Sequence, residues 1–172
     1  MPDAETTSGM PGHIVIVGPM GSGKTTLAGG LARSLGRQVF DSDRSVEERT
    51  GRIGREIART DGVEALHRLE ADVLLEALSS PRPAVVAAAA SVIEDPEVRE
   101  SLDGTFCVWL NADPDILAAR SARGHHRRPV ADTEHLEHRA LLFEQAADLV
   151  VDTGALSKAE SLHRVLEAIG AQ

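Results

Sequence analysis

Short apolar runs alternate along this 172-residue chain with longer stretches whose apolar positions recur every three or four residues. His13-Ile-Val-Ile-Val17 is an unbroken apolar run ended by Gly18, the pattern of a strand covered on both faces. Leu27, Leu31 and Leu35 then mark one face of a helix over 23–35, stopped by Gly36. Gln38-Val-Phe40 reads as a second strand running into Asp41-Ser-Asp43, and 45–50 and 53–60 as two short helices parted by Gly51. The amphipathic stretch 63–78 predicts a longer helix, closed by Ser79-Ser-Pro81, and 84–88 a third strand. A helix over 95–102 precedes a strand over 105–110, and Asp113 or Asp115 caps a helix ending near Ser121. The basic, turn-prone stretch 123–129 follows, then a helix over 133–147, a strand over 148–152 and a last helix from the Ser157 cap to Ile169. Strands separated by helices imply a parallel sheet with helices on both faces. Residues 1–12, polar with Gly, Pro and Ser, are expected to form a flexible tail, and 13–172 one domain.

Composition narrows the function classes. Aromatic residues make up 2% of the chain, with one Trp and no Tyr, too few rings for a platform that stacks single-stranded nucleic acid. The formal net charge of −9 repels a phosphate backbone, so no nucleic-acid partner is expected. Cys107, the one cysteine, sits in the apolar run Phe106-Cys-Val-Trp-Leu110 and reads as a buried strand residue. No apolar stretch is long enough to span a bilayer, so no membrane partner is expected, and the cytoplasm follows as the expected compartment.

Between the first strand and first helix lies Gly18-Pro-Met-Gly-Ser-Gly-Lys-Thr25, a GxxxxGK[ST] phosphate-binding loop in the context that gives the motif its meaning. Glycines let the backbone curl around phosphates, successive N–H groups point inward, and the following helix presents its positive end. Gly21, Ser22, Gly23, Lys24, Thr25 and Thr26 are the expected nucleotide contacts. Lys24 reaches the β- and γ-phosphates of ATP, and the Thr25 hydroxyl is a Mg²⁺ ligand. A phosphate loop by itself leaves the phosphoryl acceptor open.

Further stretches accompany the loop: Phe40-Asp-Ser-Asp43, Gly62-Val-Glu-Ala-Leu-His-Arg-Leu-Glu70, Arg128-Pro129 with His138-Arg-Ala-Leu-Leu-Phe143, and Asp148-Leu-Val-Val-Asp-Thr153. With these the chain resembles the shikimate kinase family of nucleoside-monophosphate-kinase-like P-loop proteins, from about residue 13 to 169. The resemblance implies an α/β fold: a three-layer α/β/α P-loop NTPase fold with a five-stranded parallel sheet and a mobile lid, here about 122–133. It also implies ATP- and Mg²⁺-dependent phosphoryl transfer to a hydroxyl. Carried over, Asp41 helps hold Mg²⁺ and Asp43 meets the acceptor hydroxyl; alternate residues at a strand end can both lean toward one site. Arg128 matches the lid arginine that reaches the transferring phosphate, with Arg123 and Arg127 as neighbouring candidates. Arg120 matches the arginine placed against adenine, and Thr153-Gly-Ala155 would contact the base.

The acceptor half departs from the family pattern. The family grips a carboxylate with two arginines; Arg139 matches one, but His67 stands at the other position, with Arg68 beside it and Glu70 one turn on. Ala89, Ala90 and Ser91 replace three glycines after the third strand, which disfavours positive φ and predicts a different loop path. Asp43, His67, Ala89, Ala90 and Arg139 are thus the expected acceptor contacts. The resulting expectation is an ATP-dependent small-molecule kinase whose partner is a small hydroxylated, anionic acceptor other than shikimate. Shikimate kinase proper is the alternative, an ATP-binding regulatory paralogue the non-enzymatic one. A monomer or weak dimer is expected.

Overall fold

The computed structural model describes residues 10–123 and 133–170. Five strands, β1 (Ile14–Val17), β2 (Gln38–Asp41), β3 (Ala84–Ala87), β4 (Phe106–Asn111) and β5 (Leu149–Asp152), lie parallel in the order β2-β3-β1-β4-β5. Helices α1 (Lys24–Leu35), α2 (Ser42–Thr50), α3 (Gly54–Thr60), α4 (Val63–Leu78), α5 (Pro96–Leu102), α6 (Pro114–Arg123), α7 (Thr133–Ala146) and α8 (Lys158–Ala168) connect or flank them. A 3-10 turn (Ala90–Glu94) follows β3.

Strand register explains why the apolar runs are unbroken. Val15 lies beside Val86 and Cys107, and Val15, Val17, Val86, Cys107 and Trp109 pack against Ala71 and Leu74 of α4, Val98 of α5 and Phe143 of α7. The intervening Ile14, Ile16, Val85, Val108 and Leu110 pack on the other face against Leu27 and Leu31 of α1 and Val165 of α8. Each such side chain, fully buried, contributes about 1.5–3 kcal/mol. Cys107 is wholly buried, and burial, reinforced by the Asp148 charge, pushes its thiol up to about 12, so it is an inert core residue as its sequence setting predicts. A third apolar cluster (Val46, Ile57, Leu66, Val73) joins α2, α3 and α4 beside the sheet.

The structure departs from the expected element bounds at several points. The short helix expected to start at residue 45 begins at Ser42, because Asp41 ends β2 and caps α2, its carboxylate accepting N–H bonds from Asp43 (3.1 Å) and Arg44 (3.3 Å). Asp43 therefore sits in the first turn of a helix, not at a strand end. The 90–94 segment is an ordered 3-10 turn, and no described non-glycine residue has positive φ; Ala89 is at φ −63°. Of the expected 1–12 tail, Pro11 and Gly12 are tied down by Arg37, whose guanidinium donates to both carbonyls (2.8 and 2.7 Å). Of the expected lid, Ala122 and Arg123 complete α6, which runs past Ser121, and Thr133 opens α7; residues 124–132 lie outside the described residues. Among the described residues no helix is long and apolar enough to cross a membrane.

Candidate active site

All five strands deliver functional segments at their carboxyl ends, where ligands bind in open parallel sheets. After β1 comes the phosphate loop. Its shape depends on glycine: Gly18 has φ +143° and a Cβ there would lie 2.4 Å from the Leu110 carbonyl oxygen, while Gly21 has φ +81° and a Cβ there would lie 2.8 Å from Ser121 Oγ. The loop is thus seated directly on the backbone of β4 and on α6. Gly23, also at positive φ, precedes α1 with no side-chain cap, so the first N–H groups of that helix keep their capacity for an external anion.

Lys24 folds back over the loop, its Nζ donating to the carbonyls of Gly18 and Pro19 at 2.9 Å each. Burial lowers its pKa to about 8, against the opposing charges of Asp43, Asp41 and Glu70, in that order. Those three carboxylates therefore share the neighbourhood of the Lys24 ammonium. Thr25 Oγ1 donates to Asp41 Oδ2 at 2.7 Å, so the two expected Mg²⁺ residues are in contact. Thr26 is exposed on the first turn of α1.

Arg120 and Thr153, both expected at the base, engage each other: the Arg120 guanidinium donates to Thr153 Oγ1 (3.0 Å) and to the Thr153 carbonyl (2.6 Å). The Thr153 hydroxyl lies 3.1 Å from the Ser22 carbonyl and 3.2 Å from that of Asn111. Arg120, Thr153 and the phosphate loop form one hydrogen-bonded unit.

Of the residues expected to contact the acceptor, Asp43 lies on α2 and the others lie on α4, the β3–α5 connection and α7. Ala89 N–H donates to the buried Ser42 hydroxyl (3.2 Å), which joins the segment after β3 to α2, and Ala90 opens the 3-10 turn. Glu70, 3% exposed, accepts a short hydrogen bond from the buried Ser91 hydroxyl. His67 is half-buried one turn earlier on α4. Arg139, with a 16% exposed side chain, donates from Nη2 to Glu94 Oε2 at 2.8 Å, and His135 Nε2 lies 3.4 Å from Glu94 Oε1. Arg139 Nε is buried without a hydrogen-bond partner. Arg128 lies outside the described residues, as does Arg127.

The donor set fits a magnesium nucleotide. Mg²⁺ keeps most of its waters and takes one or two protein oxygens plus phosphate, which the Thr25–Asp41 pair at the mouth of an uncapped helix can supply. Among the described residues no three His, Cys, Asp or Glu side chains cluster as a ready-made metal site. A hollow of about 570 Å³, lined by Met10, Pro11, Phe106, Ala168, Ile169 and Gly170, lies away from this end and is lined by no charged side chain.

Along with Ser42 and His135, Glu94 is a polar residue of this region that sequence reasoning missed. Its signal was faint: a carboxylate three residues after Ser91 matters only if that segment turns with 3-10 period, and a loop gives no such period.

Comparison with known proteins agrees with the geometry. The shikimate kinase family model matches residues 20–170. A shikimate kinase of Symbiobacterium thermophilum is 40% identical over 120 residues, covering 69% of this chain and 68% of its own, and one of Moorella thermoacetica is 30% identical over 167 residues, covering 94% and 96%. The crystal structure of shikimate kinase from Acinetobacter baumannii in complex with shikimate superposes with TM-score 0.81 at 28% identity, covering 92% of this chain and 93% of that one. A phosphate loop with its lysine, a Thr25–Asp41 hydrogen bond beside it and a match across nearly the whole domain place this chain in the shikimate kinase family, phosphotransferases that use ATP and Mg²⁺ and an alcohol group as acceptor.

Proposed function

We propose that the protein phosphorylates a hydroxyl of shikimate. The observation that supports this is the family match over residues 20–170, joined to the contacts of Lys24 with the phosphate loop and of Thr25 with Asp41. Bound ATP–Mg²⁺ supplies the phosphoryl group. Lys24 lies over the loop where it neutralises charge on the transferring phosphate. The Asp43 carboxylate, near the Lys24 ammonium, orients the acceptor hydroxyl and takes its proton as the new O–P bond forms and the bond to the ADP oxygen breaks. Arg128 adds a second cation from the lid. Arg120 and Thr153 hold the base side of the loop rigid, and Arg139 receives the acceptor's carboxylate. On this reading the enzyme works in the cytoplasm, as a monomer or weak dimer.

A second reading, an acceptor other than shikimate, has its own support: Ser91 bonds Glu70 beside His67, and Glu94 already occupies one arm of Arg139. Phosphorus NMR of the protein with ATP, Mg²⁺ and shikimate decides between them. A new phosphomonoester signal, absent in Lys24→Ala, supports the first. ATP left intact with shikimate, but consumed with another hydroxy acid from a panel, replaces it with the second.

A further inference from the structure

A guanidinium grips a carboxylate best through two parallel N–H bonds, and the Nε–Nη2 edge is one such fork. In Arg139 that fork is half used. Nη2 donates to Glu94 Oε2 at 2.8 Å, whereas Nε is buried with no hydrogen-bond partner. A buried donor left unmet is costly, so it points to an oxygen acceptor that arrives from outside the fold.

The surroundings fix where that oxygen would come from. Phe143, 2% exposed and stacked on Trp109 with centroids 6.0 Å apart, anchors α7 one turn beyond Arg139. The 3-10 turn that carries Glu94 is pinned twice: Ser91 Oγ bonds Glu70, a carboxylate whose charge reaches Lys24, and Arg99 Nη1 donates to the Ile93 carbonyl at 2.8 Å. The backbone at Glu94 is therefore held, and its carboxylate moves only by side-chain rotation. It has a second station at hand, since His135 Nε2 is 3.4 Å from its other oxygen and its side chain is 27% exposed to water.

We propose that Glu94 is a specificity-determining residue, an internal carboxylate that competes with an acceptor's carboxylate for the Arg139 fork. An acid acceptor binds by displacing Glu94 toward His135 and solvent, and fills both Nε and Nη2. Glu94 thereby raises the KM for acids and disfavours small carboxylates that lack the remaining contacts. This rests on the acid-acceptor reading above.

Calorimetry with shikimate and with its methyl ester, each in the presence of ADP and Mg²⁺, tests the point alongside turnover. Glu94→Gln keeps the shape and removes the charge, and should tighten shikimate binding by at least about tenfold, the worth of one charge-assisted hydrogen bond, without tightening the ester. The gain should appear in KM more than in kcat, should vanish in an Arg139→Gln background, and should be absent in Glu97→Gln, an exposed carboxylate on α5. Glu94→Asp, which retracts the carboxylate by one methylene, should give a smaller change of the same sign. Unchanged shikimate affinity in Glu94→Gln overturns the inference even if the wild type phosphorylates shikimate. Tighter binding that depends on Arg139, without any phosphate transfer, upholds it and removes shikimate as the acceptor. Equal gains with and without Arg139 reduce it to a general charge effect and overturn it, as does failure of every variant to bind.

Discussion

Lys24 shows how far one residue can be at odds with its own environment. Folding strips water from its ammonium, the two loop carbonyls at 2.9 Å replace that water only in part, and its pKa falls from 10.5 to about 8. The sign of the linkage follows. Because the folded pKa is the lower one, the cost of keeping the lysine charged is fully present below pH 8 and is relieved as pH rises from 8 toward 10.5. Lys24→Met should therefore stabilise the nucleotide-free protein at pH 7, on the order of 1–3 kcal/mol, while lowering kcat by about 10²–10³-fold. Chemical denaturation at pH 7 and at pH 10 checks the first part: the difference between variant and wild type should shrink at the higher pH. In titrations of the wild type, ATP–Mg²⁺ affinity should fall as pH rises through about 8, and that slope should be lost in Lys24→Met. The positions of Lys24 and Thr25 were legible in the sequence because a strand–loop–helix fixes them by local geometry, whereas Asp41, sixteen residues on from Thr25, was reached only through the family resemblance. Glu94 and the Arg120–Thr153 contact were not legible, because each joins segments more than thirty residues apart in the chain, which no local period encodes.

At the scale of elements, the phosphate loop owes its position to what it touches and not to its glycines alone. Gly21 lies at φ +81° with Ser121 Oγ and the Leu117 carbonyl where a Cβ would go, so Gly21→Ala must shift the backbone of α6 or of the loop itself. We expect that variant to remain folded but to bind nucleotide at least about tenfold more weakly, read by calorimetry, because the N–H groups of the loop no longer converge. Helix ends give a separate control far from the site. Ser157 forms a full capping box with Glu160, bonds of 3.2 and 2.8 Å, and Ser157→Ala should cost about 1 kcal/mol, a Tm loss of roughly 2–4 °C, with kcat unchanged. Capping chemistry also explains which helices the sequence located well. Gly36 and Ser157 mark their ends unambiguously, and α1 and α8 agree with the expected bounds to within a residue. Asp41 misled, because an aspartate that ends a strand and caps a helix reads equally well as part of a turn.

Across the whole molecule, the order β2-β3-β1-β4-β5 puts the phosphate loop after the central strand, with the Asp41 segment two strands to one side and Thr153 two strands to the other. A ligand seated there touches segments from most of the chain and should stabilise it as a unit. With ATP–Mg²⁺ at a hundred times its Kd, about 2.7 kcal/mol is added, and Tm should rise by roughly 5–10 °C in differential scanning fluorimetry. The rise should shrink when EDTA removes the Mg²⁺ that we propose Thr25 and Asp41 hold. The parallel sheet and its two covered faces were legible because strands buried on both sides must be continuous apolar runs, as Ile14–Val17 and Ala84–Ala87 are. The loop at Ala89, Ala90 and Ser91 was legible only as a departure: side chains there disfavour positive φ without prescribing the 3-10 turn that forms.

The bond between Thr153 and Ser22 spans 131 residues. During synthesis the loop, β1 and α1 leave the ribosome long before the threonine that braces them exists. A nascent chain cut short of β5 can hold the Gly-rich segment only through its own turns, so firm nucleotide capture has to wait until Thr153 has emerged and β5 has joined the sheet.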